Sequence, residues 1–287
     1  MSDSPEVMMG MSMPDIDHWS ERVSVALGQN PTPFTGPGTN TYLIGTGPER
    51  ILLDTGQGLP EYLPVLERAL GETGCTIQEI VLTHGHPDHI GGVAQIRERF
   101  GELEVKKFPL ADELFEITAL EDGSVVRTEG ASLRALHTPG HALDHLCFIL
   151  EEENALFSGD NVLGVGTTVI PAQSGDLGDY MASLQRVLSQ EPGRIYPAHG
   201  PCIEDGPAKL REYIAHRQDR ENQILSAMGT GVQRVPDIVA VVYAAYPKAL
   251  HPAAGQSVAS HLLKLEREGR VRRGEGADPV HAEWNLA

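Results

Sequence analysis

Within six residues, His84-Gly85-His86-Pro87-Asp88-His89, the sequence sets three imidazoles and one carboxylate. Few chemistries need that density of donors, and the foremost is a zinc-like divalent ion, which takes nitrogen and oxygen ligands at low coordination number. His84 and His86 alternate as on an extended segment, so both can point to one side. Ile80-Val81-Leu82 reads as a buried strand, and His89 to Phe100 has helical spacing. The donors therefore lie past the carboxyl end of a strand, where layered α/β folds place their ligand crevice. Gly85, Gly91 and Gly92 permit close backbone approach, and Pro87 stiffens the turn. The competing reading is a solvated, histidine-rich turn, and further donors elsewhere decide between the two.

Those donors follow a pattern. Four strand-like runs end in a small or turn-forming residue followed by His84, His141, Asp160 and His199 respectively. Asp54 closes the apolar run Ile51-Leu52-Leu53, where a buried carboxylate needs a partner. It reads either as a turn or capping Asp or as a group that orients a metal ligand. His145, four residues beyond His141, reads either as a proton donor or as a strand-edge histidine bonded to backbone. The Gly- and Pro-rich stretch from Asn30 to Gly38 is long enough to lean over a pocket.

The chain, 287 residues, can bury a sizeable core and hold more than one domain. Its formal charge of −18, from 22 Lys plus Arg against 40 Asp plus Glu, would repel polyphosphate partners unless a local exception exists. Cys75, Cys147 and Cys202 are widely separated and odd in number, which argues against a disulfide framework and for a reducing compartment. No stretch approaches the roughly 20 apolar residues of a membrane span. Met1 to Asp17 lacks Lys and Arg, unlike a signal or transit peptide, and reads as a flexible tail. A cytoplasmic protein is expected, with residues 18–206 as the catalytic domain and 207–287 as a helical carboxyl-terminal domain. In the latter, helices are expected over Pro207 to Met228, Ile238 to Tyr246 and Val258 to Glu268, followed by a basic turn and strand, a winged-helix-like order. Lys264, Arg267, Arg270, Arg272 and Arg273 form its one basic concentration, read either as a nucleic-acid contact or as a solvated face diluted by Glu266 and Glu268.

The His-x-His-x-Asp-His string, with Gly140-His141, Gly159-Asp160 and His199-Gly200, resembles the metallo-β-lactamase superfamily. Gly38-Thr39-Asn40-Thr41-Tyr42-Leu43, Thr138-Pro139-Gly140-His141 with Asp144-His145, and Gly164-Val165-Gly166-Thr167-Thr168 are similar to its beta-lactamase-like protein 2 group over nearly the whole chain. The resemblance implies an α/β fold, an αββα sandwich, with two Zn²⁺ per chain. His84, His86 and His141 would hold the first, Asp88, His89 and His199 the second, and Asp160 would bridge them. A pair of metals roughly 3.5 to 4 Å apart activates water and polarises the bond to be cut, so the implied activity is hydrolysis. Asp88 and His145 are the expected catalytic residues. Animal members imply a single-strand-preferring endoribonuclease, and fungal relatives imply the alternative, a thioesterase or other small-molecule ester or thioester hydrolase, of polyketide-release or hydroxyacylglutathione-hydrolase type. The expected partners are accordingly single-stranded RNA or a small acyl thioester, with the chain a monomer or small homo-oligomer and no membrane association. Eukaryotic relatives imply the mitochondrial matrix as an alternative compartment. Gly85 and Pro87 depart from the bulkier residues expected in animal members, at the floor of the pocket.

Overall fold

A computed structural model describes residues 11–274 and 278–287. Strands β1 (Ile16–His18), β2 (Val23–Leu27), β3 (Asn40–Ile44), β4 (Glu49–Leu53), β5 (Thr76–Val81), β6 (Val105–Lys107) and β7 (Thr118–Ala119) form one sheet in chain order. The first four pair antiparallel and the last four parallel. A second sheet runs β12-β11-β10-β9-β8, built from β8 (Val125–Thr128), β9 (Ala131–His137), β10 (Leu146–Leu150), β11 (Ala155–Gly159) and β12 (Arg194–Pro197).

Alternation along the strands explains why the two sheets stack. Tyr42, Ile44, Phe148 and Leu150 point into a core shared between the sheets with Leu53, Val81, Leu133, Phe157 and Tyr196. Leu43 faces outward and is covered, with Leu52 and Ile80, by helices α1 (Tyr62–Thr73) and α3 (Val93–Phe100). On the other sheet Cys147 and Ile149 face outward and are covered by α4 (Leu177–Leu188) and the first half of α5 (Gly206–Gly229). The result is an αββα sandwich.

The second half of α5 leaves that layer. Its Ile224, Ala227 and Met228 join a separate core with α6 (Val235–Val242), α7 (His251–Arg267) and the hairpin of β13 (Val271–Arg273) with β14 (Trp284–Leu286), centred on the buried Trp284. This is the helix, helix and wing order. Prolines at the first turn start both helices earlier than expected, α6 at Val235 and α7 at His251.

Two expectations are corrected. The sheet begins inside the presumed tail, because Ile16, Asp17 and His18 pair with Ala26, Val25 and Ser24; the tail's residues 1–10 lie outside the described residues. The single helix expected from His89 to Phe100 is two, α2 (Pro87–Ile90) and α3, separated at Gly91-Gly92. A Cβ on Gly91 would lie 2.5 Å from the Gln57 carbonyl oxygen, and one on Gly92 would collide with the Thr55 carbonyl. The break lets the β4 loop pass against the donor loop, with Thr55 N–H and Oγ1–H both donating to the His89 carbonyl.

Candidate metal centre

Every proposed ligand sits just past a strand at one edge of the sandwich. The β5–α2 loop carries His84, His86, Asp88 and His89; His141 follows β9, Asp160 follows β11 and His199 follows β12. The seven converge as two groups, His84 with His86 and His141, and Asp88 with His89, Asp160 and His199, within each of which the donor atoms lie within 4.8 Å of one another. His84 Nε2 and His141 Nε2 each stand 2.9 Å from His86 Nδ1. Asp160 faces both groups, with Oδ2 3.5 Å from His141 Nε2 and Oδ1 3.1 Å from His199 Nε2.

The outer nitrogens fix what the inner ones present. His141 Nδ1–H donates to the Val169 carbonyl at 2.9 Å, so its Nε2 turns a lone pair inward. His89 Nδ1–H donates to Asp54 Oδ2 at 2.8 Å, which leaves Nε2 as the nitrogen that faces the centre. Burial lowers the pKa of His89 but Asp54 and Asp160 more than offset it, so without metal the ring is protonated and Nε2 gives up its proton on ligation. Asp54 is buried at φ 60°, in the left-handed region, and its other oxygen accepts from Thr83 N–H at 2.8 Å. Of the two readings of Asp54, the structure supports orientation of His89.

Buried His89 Nε2 and Asp160 Oδ1 make no well-aligned hydrogen bond, although Asp160 Oδ1 lies in ion-pair range of His199 Nε2 at 3.1 Å. Three imidazole nitrogens pointed at one another, beside a nitrogen and a carboxylate oxygen that lack well-aligned bonds, are unsatisfied as a purely protein arrangement and fit divalent cations. The electrostatics agree. Burial, then the neighbouring His89, hold His84 well below its usual pKa, in the neutral form that ligates metal. Burial disfavours charge on Asp88 and Asp160, yet His89 and His199 more than reverse this and keep both carboxylates far below the usual range.

Of the two readings of His145, the hydrogen bonds favour the histidine bonded to backbone over the proton donor. The side chain is buried, and its Nε2 accepts the Asp160 backbone N–H at 3.0 Å, so Nδ1 is the protonated nitrogen and donates to Thr138 Oγ1 at 2.8 Å. Burial and then His141 push its pKa well below the usual value. With both nitrogens engaged, His145 anchors Asp160 and has no proton to offer a substrate. A Cβ on Gly159, at φ 49°, would lie 2.6 Å from His145 Nε2, so only glycine lets the two strands' ends meet.

The basic concentration is not what its sequence suggests. Lys264 pairs with Glu221 and Glu268, Arg267 with Asp176, and Arg270 with Glu221, all at 2.6 to 2.7 Å, while Arg273 lies 3.5 Å from Glu266. Lys264, Arg267 and Arg270 thereby brace the carboxyl-terminal module against α5 and the start of α4. Arg272 alone of the five is exposed without such a pair among the described residues. Gly85 likewise packs away from the pocket floor, its Cβ position 3.0 Å from Asp144 Oδ2, over the buried Lys107–Asp144 ion pair at 2.9 Å.

A cleft of about 620 Å³ opens onto both donor groups. Phe34 and Leu163 line it beside the donors, Thr168 and Val169 beneath, and Arg217, Arg220, Tyr243 and Tyr246 from α5 and the segment after α6. Sequence reasoning missed this second wall, because nothing local in α5 marks which face meets the metal edge. The stretch from Asn30 to Gly38 does lean over the cleft, through Pro33 and Phe34.

The family model described as "Metallo-beta-lactamase superfamily" matches residues 34–199, and that of the beta-lactamase associated winged helix domain matches residues 235–284. The chain belongs to the metallo-β-lactamase superfamily. It is 43% identical over 265 residues to the Beta-lactamase-like protein 2 homolog of Caenorhabditis elegans, covering 89% of this chain and 88% of that protein. It is 44% identical over 237 residues to the Atrochrysone carboxyl ACP thioesterase of Claviceps purpurea, covering 80% of this chain and 75% of that one. A beta-lactamase domain protein of Burkholderia ambifaria shares the fold at a TM-score of 0.81 and 18% identity, over 99% of this chain and 97% of that one. Members of this superfamily are generally metal-dependent hydrolases, and the donor groups here can hold metal. Among the described residues no helix is long and apolar enough to cross a membrane.

Proposed function

We propose that this superfamily member is a zinc-dependent thioesterase that hydrolyses an acyl thioester with an apolar or aromatic acyl group. The observation that carries the reading is the cleft: its lining combines the donors with Tyr243, Tyr246, Leu250 and Ala254, side chains suited to a planar acyl chain. The Claviceps relative, named as a thioesterase, supports it.

His84, His86 and His141 would hold one Zn²⁺, Asp88, His89 and His199 a second, with Asp160 between them. Zinc bound there supplies an activated water and polarisation of the thioester carbonyl. Asp88, ionised and facing the cleft, is the side chain placed to take the proton of the attacking water. His145 has no proton to give, and a thioester does not need one: a thiol with a pKa of about 8.5 departs readily as thiolate. The five basic side chains of the carboxyl-terminal stretch, four of them already paired, lend the endoribonuclease reading little support.

The test is one metal-loaded preparation offered an aromatic acyl thioester and labelled single-stranded RNA side by side. We expect thioester turnover that Asp88→Ala lowers by at least about 10²-fold. RNA cleaved at a rate sensitive to the same substitution, with the thioester intact, would overturn the proposal.

A further inference from the structure

In the lining of the same cleft, α5 carries Arg217 and Arg220, only 6% and 8% exposed. Among the described residues neither guanidinium lies within ion-pair distance of a carboxylate. Arg217 Nη2 donates to the Thr168 carbonyl and its guanidinium stands 5.2 Å from the Tyr180 ring centre, but its Nε is buried with no hydrogen-bond partner. Arg220 Nη1 donates to Gln223 Oε1 at 3.0 Å and its guanidinium lies 4.1 Å over the Tyr243 ring. The nearby acid Glu221 is already taken by Lys264 and Arg270. Behind them His261 is buried with both ring nitrogens unpartnered, and burial, then Arg217, Lys264 and Arg220, keep it well below its usual pKa. Arg217 and Arg220 thus stand buried and without an ion pair among the described residues, in a cleft that Glu212 also lines and in a protein of formal charge −18.

Two buried guanidiniums without a counter-ion are costly unless an anion arrives to complete them. We propose that Arg217 and Arg220 form an anion subsite, in the same cleft as the metal donors, that takes an acidic group, a carboxylate or an ionised enol, on the acyl portion of the substrate. This rests on the thioesterase reading for the identity of the ligand. The aromatic neighbours set its character: Tyr243 lies under the Arg220 guanidinium, its ring centre 5.4 Å from that of Tyr246, and the pair suits an acidic group carried on a ring. An acyl group so held would be gripped twice, by the subsite and by the metal centre, which limits the orientations it can take.

The experiment is calorimetric titration of the metal-loaded protein with 2-naphthoate, 2-naphthamide and inorganic phosphate, in wild type, Arg217→Gln and Arg220→Gln. Naphthoate can also bind at the metals, so the informative quantity is its advantage over the amide and how much of it each substitution removes. We expect each variant to lose about 10-fold or more of that advantage, the size of a charge-assisted hydrogen bond. An advantage unchanged in both variants overturns the subsite. Phosphate binding that depends on Arg217 while naphthoate binding does not would make it a phosphate site and overturn the proposal. Arg220→Gln carries the test alone should Arg217→Gln not fold. Paired N-acetylcysteamine thioesters, with and without a carboxylate on the aromatic tail, separate the two readings. Turnover of both with no preference sinks the subsite alone, whereas turnover of neither sinks the thioesterase reading and leaves the titration to decide the subsite.

Discussion

At the scale of single residues, the outer partners of the metal donors are as informative as the donors. Asp54 accepts from His89 Nδ1 and from Thr83, and it does so from a left-handed backbone conformation that asparagine also tolerates. Asp54→Asn should therefore fold, offer His89 a weaker acceptor, and lower zinc affinity by about 10 to 100-fold. Competition against a chromogenic chelator measures this, and unchanged affinity would show that Asp54 does not orient the ligand. His145 makes the opposite prediction from a catalytic acid. His145→Ala leaves the Asp160 N–H buried and unpaired, a loss of about 1 to 3 kcal/mol of stability in denaturant unfolding. The residual enzyme's pH–rate profile should keep its shape, whereas loss of one limb would restore a proton-transfer role. The donors were legible because His and Asp after strand ends are rare without a reason. The role of His145 was not, since it depends on which atom each nitrogen meets, which one-dimensional spacing does not carry.

At the scale of elements, the strands were readable from alternating or continuous apolar runs, and α4 and α5 from their periodicity. What failed were junctions. Gly91 and Gly92 look compatible with a helix until the β4 loop is placed against them, and β1 is too short and polar to announce a strand before its partner β2 is in place. The ion pairs of the basic stretch near α7 were out of reach for the same reason, because Asp176, which takes Arg267, lies far off in the sequence. Gly92→Ala should test the junction: its Cβ has no room beside Thr55, so stability should fall by about 1 to 3 kcal/mol, with reduced zinc content at equal protein concentration. A stable, fully metallated Gly92→Ala variant would mean the loops can separate without disturbing the donors.

For the whole molecule, the metal centre ties the ends of both sheets together, so chelation should lower the melting temperature. A ligand at 100 times its Kd contributes about 2.7 kcal/mol. Without metal, burial lowers the pKa of His199 but Asp160 more than offsets it, to about 9, so the imidazolium substitutes in part for the missing cation. Because this folded-state pKa is raised, its stabilisation is full below the unfolded value of about 6.5 and is lost as pH rises through about 9. The chelated protein should thus melt at progressively lower temperature over that interval, and a flat profile would contradict the coupling. Helix α5 has a different consequence at this scale. Leu210 and Tyr213 are built into the sandwich, and Ile224, Ala227 and Met228 into the helix-and-wing core. One continuous rod thus serves as a beam let into two walls. Neither wall can come down while the other stands intact, and a calorimeter should record a single endotherm for what sequence alone divides in two.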